Sequence, residues 1–135
     1  MNSCKFKFLV FLFFFSVLIS CKKENTSRLI EDFNAGWRFL KSDSVIFRSP
    51  AFKGDSTWRL LDLPHDWSIE GEFDEKHPAT TGGGALPGGI AWYRKSFNLS
   101  ENDSSKVVFI EFDGIYRNSE VWINGNYLGK RAFGY

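Results

Sequence analysis

The side chains best suited to chemistry in this sequence are its two histidines, His65 and His77, and the carboxylates near them. His65 precedes Asp66, a pairing found in catalytic triads, but the serines lack the G-x-S-x-G signature of an activated nucleophile. The histidines lie twelve positions apart, which matches no metal-ligand spacing. Asp66 suits a turn in which its carboxylate accepts hydrogen bonds from the next backbone amides. The sequence therefore predicts no catalytic residue, no metal site and no cofactor.

A second candidate is the glycine-rich stretch GGGALPGGI at residues 82–90. It lacks the G-K-[ST] ending of a phosphate-binding loop, and a strand-like segment follows it, so no helix N-terminus is available for a phosphate. Two interpretations stay open: a flexible linker, or a loop whose glycines let its backbone approach a ring or another domain closely. We favour close approach, because Leu86, Pro87 and Ile90 are apolar.

The glycines belong to a long connection, residues 68–90, between two predicted strands. Connections of more than about 15 residues without regular structure are uncommon unless they are functional or disordered. We therefore predict a functional loop. Trp67, just before this connection, is the aromatic residue that we most expect to be exposed, where its ring could contact a sugar or simply pack.

Short β-rich segments must position these residues, since no window after residue 28 keeps helical periodicity over about ten residues. The predicted strands are residues 36–40, 57–63, 91–99 and 106–113, followed by a hairpin at residues 120–129 with Asn124–Gly125 as its turn. The pattern indicates an all-β fold, an antiparallel sandwich or jelly roll, for which about eight strands are usual. Residues 130–135 add no closing strand, so we expect the sandwich to be incomplete at the C-terminus.

The N-terminal segment is typical of an export signal. Lysines precede an apolar run at residues 8–19, which is shorter than the roughly 20 residues that span a bilayer. The run ends in LISC at residues 18–21, which resembles the lipobox of bacterial lipoproteins. We expect residues 1–20 to be a lipoprotein signal peptide, Cys21 to be lipidated and residues 21–29 to form a tether. An ordinary secretory signal with an incidental cysteine is the alternative.

Cysteine usage and charge restrict the partners. With Cys4 removed and Cys21 acylated, no thiol is left for a disulfide. Removal of residues 1–20 takes two lysines from the 17 basic residues, against 16 acidic ones, so the formal net charge changes from +1 to −1. This balance predicts no nucleic-acid partner. The expected location is outside the cytoplasm, on a bacterial membrane that the lipid anchor contacts.

Several motifs together resemble one enzyme family. They are FNAGWRF at residues 33–39, LPHDWS at 63–68, GGIAWYRKSF at 88–97, FDGI at 112–115 and VWING at 121–125. In this order and spacing they resemble the N-terminal sugar-binding domain of glycoside hydrolase family 2, of the β-galactosidase type. The resemblance covers residues 30–135 and implies a galactose-binding-like jelly-roll β-sandwich.

The resemblance also implies a role for the glycine loop. In similar enzymes, an immunoglobulin-like domain and a (β/α)₈ barrel follow this domain, and the barrel carries both catalytic glutamates. A barrel needs roughly 250 residues, so the resemblance places no catalytic residue in this chain. The loop before the Trp-Tyr-Arg strand reaches over the barrel mouth, which makes Asp66, Trp67, Pro87, Gly88 and Gly89 candidate residues of the pocket wall.

The function expected from the resemblance is that of a non-catalytic sugar-binding domain in a lipoprotein exo-β-galactosidase. Its partners would be β-linked glycans, galactosides above all, together with the immunoglobulin-like and barrel domains. Two alternatives stay open: a free-standing carbohydrate-binding surface lipoprotein, and a remnant without function. The family's domain continues beyond residue 135, so we expect the sequence to represent a truncated domain with low stability by itself.

Overall fold

The computed structural model describes residues 28–78 and 80–134. Phe33–Tyr135 forms one compact unit. The described residues contain five strands and five short 3₁₀ helices. No helix among them is long and apolar enough to cross a membrane. The predicted signal peptide and Cys21 lie outside the described residues.

The central element is a three-stranded antiparallel sheet. Its strands are β1 (Trp37–Lys41), β2 (Arg59–Leu61) and β3 (Ala91–Arg94), in the order β2-β1-β3. In the middle strand, Phe39 lies opposite Arg59 on one side and Tyr93 on the other. The prediction of an all-β antiparallel fold is confirmed. β2 and β3 are shorter than the strands predicted at residues 57–63 and 91–99.

The core is aromatic and small. Trp37 and Phe39 alternate along β1 with the less buried Arg38 and Leu40 and are buried together with Trp58, as the period of two in a half-buried strand requires. Phe47 and Phe52 contact the Trp58 ring, with centroids 4.9 and 5.9 Å away. Edge-to-face and tilted arrangements of this kind are the favourable ones for aromatic rings.

Arg94, at the end of β3, holds the connection between β1 and β2 in place. Its guanidinium donates hydrogen bonds to the carbonyl oxygens of Phe47, Ser49 and Phe52 at 3.1 to 3.3 Å. Its Nε lies 3.4 Å from the Asp55 carboxylate. One planar group with five donors thus satisfies carbonyls that no strand partner satisfies.

The predicted hairpin is confirmed. It consists of β4 (Ser119–Ile123) and β5 (Asn126–Arg131), which pair in an antiparallel sense. Asn124 and Gly125 have φ angles of 51° and 82°, the two positive values that a type I′ turn requires.

Side chains connect the hairpin to the three-stranded sheet. The rings of Trp92 and Trp122 lie 5.5 Å apart, and the Arg48 guanidinium lies over Trp122 at 5.1 Å. The turn also approaches Pro50 closely, because a Cβ placed on Gly125 would lie only 2.8 Å from the proline Cδ. No strand of one sheet pairs with a strand of the other in the described part of the chain.

The prediction of a strand at residues 106–113 is wrong. This segment has no regular secondary structure, and none of the described strands pairs with it. Val107, Phe109 and other apolar side chains of the segment are exposed. A strand exists only as part of a ladder, so β-branched and aromatic residues do not form one without a neighbour.

Candidate functional site

A short 3₁₀ helix, Trp67–Glu70, begins the long connection between β2 and β3. Asp66 caps it: the Oδ1 atom accepts hydrogen bonds from the Ser68 backbone N–H at 2.9 Å and from the Ser68 hydroxyl at 2.6 Å. This is the turn chemistry that the sequence predicts for Asp66. The cap fixes the direction in which Trp67 leaves the backbone.

The glycine-rich part of the connection packs closely against this helix. A Cβ on Gly71 would collide with the ring of Pro87. A Cβ on Gly88 would lie 4.0 Å from Pro78, and one on Gly89, where φ is +131°, would lie 3.6 Å from the Lys41 side chain. Close approach of the backbone to a neighbouring side chain is therefore the role of Gly71, whereas Gly89 has a φ angle that residues with a side chain rarely adopt.

The end of β1, the Trp67–Glu70 helix and the glycine-rich connection line an open cleft of about 490 Å³. Its wall consists of apolar and aromatic residues together with titratable ones: Phe39, Lys41, Trp67, Glu70, Gly71, Glu72, Phe73, Asp74, His77 and Pro87. Of the wall residues predicted from the sequence, Trp67 and Pro87 line this cleft. Asp66 caps the adjacent helix, whereas Gly88 lies near Pro78 and Gly89 lies near the Lys41 side chain.

Lys41 is a cleft residue that sequence reasoning missed. It is the last residue of β1, and its ammonium lies over the Trp67 ring, 4.4 Å from the centroid. A cation over an indole face is attracted by the ring quadrupole. One face of Trp67 therefore contacts a protein cation. No sequence motif marks Lys41, because its role depends on the approach of two segments that are distant in the chain.

Four side chains form a polar network beside the cleft. Arg59 pairs with Glu70 through both guanidinium nitrogens, at 2.8 and 2.5 Å. Nε2 of His65 lies 2.6 Å from the Arg59 guanidinium and 3.0 Å from Glu70, while Nδ1 lies 2.7 Å from the Tyr93 hydroxyl. The network joins β2, β3 and the Trp67–Glu70 helix.

The network also changes the acidity of its members. Hydrogen bonds from Arg59 and His65 lower the pKa of Glu70 to about 2. Partial burial, followed by the charges of Asp66 and Glu70, raises the pKa of Tyr93 to about 12. Glu70 is thus ionised and Tyr93 protonated at neutral pH. The Glu70 hydrogen bond raises the pKa of Arg59 above its already high ordinary value.

The cleft chemistry suits a polar ring with apolar faces. Phe73 and Trp67 provide aromatic surface, while Glu72 and Asp74, whose Oδ1 atom also accepts from the Lys76 backbone N–H, provide carboxylate oxygens that can accept from hydroxyl groups. No group of three or more metal-ligating side chains that could hold an ion exists among the residues described. An aromatic wall with a few hydrogen-bonding groups is what small-molecule sites generally have.

Comparisons with known proteins agree with this geometry. The β-galactosidase BoGH2A of Bacteroides ovatus is 57% identical over 104 residues, 77% of this chain and 12% of that protein. A putative β-glucuronidase of Formosa agariphila is 48% identical over 113 residues, 84% of this chain and 11% of that protein. A solved glycosyl hydrolase family 2 member from Bacteroides cellulosilyticus matches with a TM-score of 0.64 and 35% identity, over 76% of this chain and 14% of that one.

The chain matches the N-terminal domain of glycoside hydrolase family 2. The resemblance read from the motifs is thereby confirmed, and so is a β-sandwich of the family 2 type. No protein-family model matches the chain. The chain spans about an eighth of the length of the curated relatives it matches.

Proposed function

We propose that this family 2 domain is a non-catalytic glycan-binding module that acts within a larger hydrolase of β-galactosides. The observation that carries the proposal is the 57% identity with a β-galactosidase over 77% of the chain. The cleft supports it, because an aromatic wall beside carboxylate acceptors is suited to a sugar ring. The residues of the wall that we assign to ligand contact are Trp67 and Pro87; Asp66 caps the helix that begins with Trp67, and Gly88 and Gly89 follow Pro87 in the loop.

Binding of small sugars to the full-length chain tests the first part of the proposal. p-Nitrophenyl β-galactoside and p-nitrophenyl β-glucuronide, titrated separately by calorimetry, compare the sugar types named by the relatives. We expect the galactoside to bind more tightly. Trp67→Ala should weaken its binding about tenfold, or about 1.4 kcal/mol, because the variant removes the indole surface against which the apolar face of the sugar would pack.

The matched control is Tyr127→Ala, which removes an exposed aromatic ring from the hairpin and should leave galactoside affinity unchanged. A chain that binds neither sugar would refute the glycan-binding proposal. Equal losses of galactoside affinity in Trp67→Ala and Tyr127→Ala would show that the ligand binds outside the cleft.

The non-catalytic part of the proposal has its own test. Retaining glycosidases need two carboxyl groups about 5–5.5 Å apart on either side of the scissile bond, and we assign no such pair to this chain. The purified chain should release no nitrophenol from p-nitrophenyl β-galactoside above the buffer rate. Turnover that copurifies with the homogeneous protein would contradict the assignment.

We further propose that the domain is exported and anchored to a bacterial membrane through Cys21. Its support is the LISC sequence at the end of an apolar run of lipoprotein type. Radiolabelled palmitate should enter the wild-type protein in cells and should not enter Cys21→Ala. Cys4→Ala is the matched control and should be labelled like the wild type. Label that persists in Cys21→Ala would exclude the anchor.

A free-standing carbohydrate-binding lipoprotein is the second candidate. The same cleft favours it, since glycan binding by the cleft would not depend on a catalytic domain. The gene sequence distinguishes the two candidates. A reading frame that continues into a barrel domain with two catalytic glutamates would support the hydrolase domain. A stop after residue 135 in the intact gene, together with glycan binding, would support the free-standing protein.

A further inference from the structure

The Trp67 ring has a charged partner, the Lys41 ammonium, which lies over the indole 4.4 Å from the ring centroid. Within residues 28–78 and 80–134, no aromatic ring stacks on Trp67 and its indole N–H makes no hydrogen bond. The Asp66 cap contacts the backbone of the helix and the Ser68 hydroxyl, so it does not fix the rotation of the Trp67 side chain. The contact with Lys41 is therefore the directional interaction that the indole makes.

Pairing between β1 and β3 fixes the backbone of Lys41. Lys41 lies opposite Ala91 in the ladder, and the N–H of the next residue, Ser42, donates to the Ile90 carbonyl oxygen at 3.1 Å. The lysine side chain then passes beside the glycine-rich connection, where a Cβ on Gly89 would lie 3.6 Å from the lysine Cε. The start of β3 thus directs the lysine stem towards the indole.

The Lys41 ammonium has no stronger partner that competes with the indole. In the part of the chain that the structure describes, Lys41 forms no ion pair and its ammonium makes no hydrogen bond. Glu70, a carboxylate of the same cleft, is held by both guanidinium nitrogens of Arg59. The ring quadrupole of Trp67 therefore retains the ammonium, while the outer side of this exposed group stays in water.

We propose that Lys41 is a positioning residue for ligand binding in the cleft. Its ammonium covers one face of the Trp67 indole and holds the ring so that the opposite face receives a sugar ring. Both residues line the cleft. A ring that is already held loses less freedom when a ligand packs against it, which favours binding. The proposal rests on the proposed glycan binding, because Lys41 acts through Trp67.

The contact can be observed without a ligand by proton magnetic resonance of the full-length chain. Protons over the face of an indole are shifted upfield by the ring current, so the ε-methylene protons of Lys41 should resonate upfield of those of the other lysines. Lys41→Arg assigns the signal, and Trp67→Ala should return it to the ordinary lysine position. An ordinary position in the wild type would overturn the proposal.

A second measurement on the wild type does not depend on the folding of any variant. The ε-methylene protons of Lys41 should show a nuclear Overhauser effect to the Trp67 indole protons, because the ammonium lies over that ring. Absence of this effect would overturn the proposal even if Trp67→Ala does not fold.

Three lysine variants test the effect on affinity for p-nitrophenyl β-galactoside. Lys41→Met keeps an apolar stem and removes the charge, so binding should weaken about threefold, or about 0.7 kcal/mol, as for an exposed cation over an aromatic ring. Lys41→Arg keeps a cation that stacks on aromatic faces and should restore the affinity. The matched control, Lys53→Met, removes an exposed lysine outside the cleft wall and should bind like the wild type. Equal weakening in Lys41→Arg and Lys41→Met would overturn the proposal.

A double-mutant cycle separates positioning from direct contact with the ligand. If Lys41 acts through Trp67, Lys41→Met should weaken binding no further in the Trp67→Ala background, so the two losses are not additive. A threefold loss that persists in this background would show that the ammonium contacts the sugar itself, and would overturn the positioning role.

Failure of this proposal is distinguishable from failure of the proposed function. Galactoside binding that Trp67→Ala weakens and Lys41→Met leaves unchanged would refute the role of Lys41 and leave the proposed function intact. Absence of galactoside binding by the wild type would refute the proposed function, and with it the role of Lys41 in binding.

Discussion

Two regions of this domain have similar residue types and different structures. β1, WRFLK, is buried at Trp37 and Phe39 and pairs on both sides. The segment at residues 106–113, KVVFIEFD, is richer in β-branched residues and forms no strand. Phe39 is 8% exposed, whereas Phe109 is 83% exposed. A strand-like sequence thus produces a strand only where neighbouring segments provide its hydrogen-bond partners.

The packing that stabilises the described domain therefore lies mainly around β1. Around β1, aromatic rings contact each other, and Arg94 satisfies the carbonyls of the adjoining connection. Residues 106–113 present apolar surface to solvent instead. Such exposed patches mark interaction surfaces or aggregation-prone sites.

The largest effect should come from truncating a buried ring. Phe39→Ala removes contacts with Tyr93 and His65, and we expect it to lower the free energy of unfolding by about 3–5 kcal/mol. Phe109→Ala should change it by less than about 0.5 kcal/mol, because the ring is exposed. Urea denaturation followed by tryptophan fluorescence measures both. Similar losses in the two variants would show that residues 106–113 are buried in solution.

A smaller effect should follow removal of the Arg94 guanidinium. Arg94→Leu leaves the carbonyls of Phe47, Ser49 and Phe52 without their donor, and we expect a loss of about 1.5–3 kcal/mol. Lys130→Ala removes an exposed ion pair with Glu120 and should cost at most about 1 kcal/mol. The same denaturation measurement applies. A larger loss of unfolding free energy in Lys130→Ala than in Arg94→Leu would contradict this prediction.

The smallest effect concerns pH. Glu70 has a folded-state pKa lowered to about 2 from an ordinary 4.5, so its contribution to stability is present above about pH 4.5. It is lost as the pH falls towards 2, because the unfolded state then binds the proton first. Glu70→Gln should lower the melting temperature at pH 7 and match the wild type near pH 2. Glu75→Gln, an exposed neighbour, should follow the wild-type profile throughout. A Glu70→Gln deficit that stays constant down to pH 2 would contradict the assignment to charge.

The sequence predicted the local features and missed the long-range ones. Asn124–Gly125 specifies its own turn, so the hairpin was predictable from two residues. Asp66 likewise carries its capping role in local chemistry. The failure at residues 106–113 arises because strand formation depends on a partner, which periodicity does not reveal.

The cleft was predictable only in part for the same reason. Trp67 and Pro87 were selected from loop position and from the resemblance, and they do lie together. Lys41 and the network of Arg59, Glu70 and Tyr93 were missed. These side chains meet across three strands and a loop, and no pair of adjacent residues signals the contact.

The contact between the two sheets has a consequence for mechanics. Within each sheet, hydrogen bonds fix the strands in a single register, so shear along a strand must break a ladder. Between the sheets, the Trp92 and Trp122 rings and the Pro50–Gly125 approach provide non-directional apolar contact. Under a stretching force we therefore expect the hairpin to separate from the three-stranded sheet before its own ladder breaks, so that β4 and β5 stay paired.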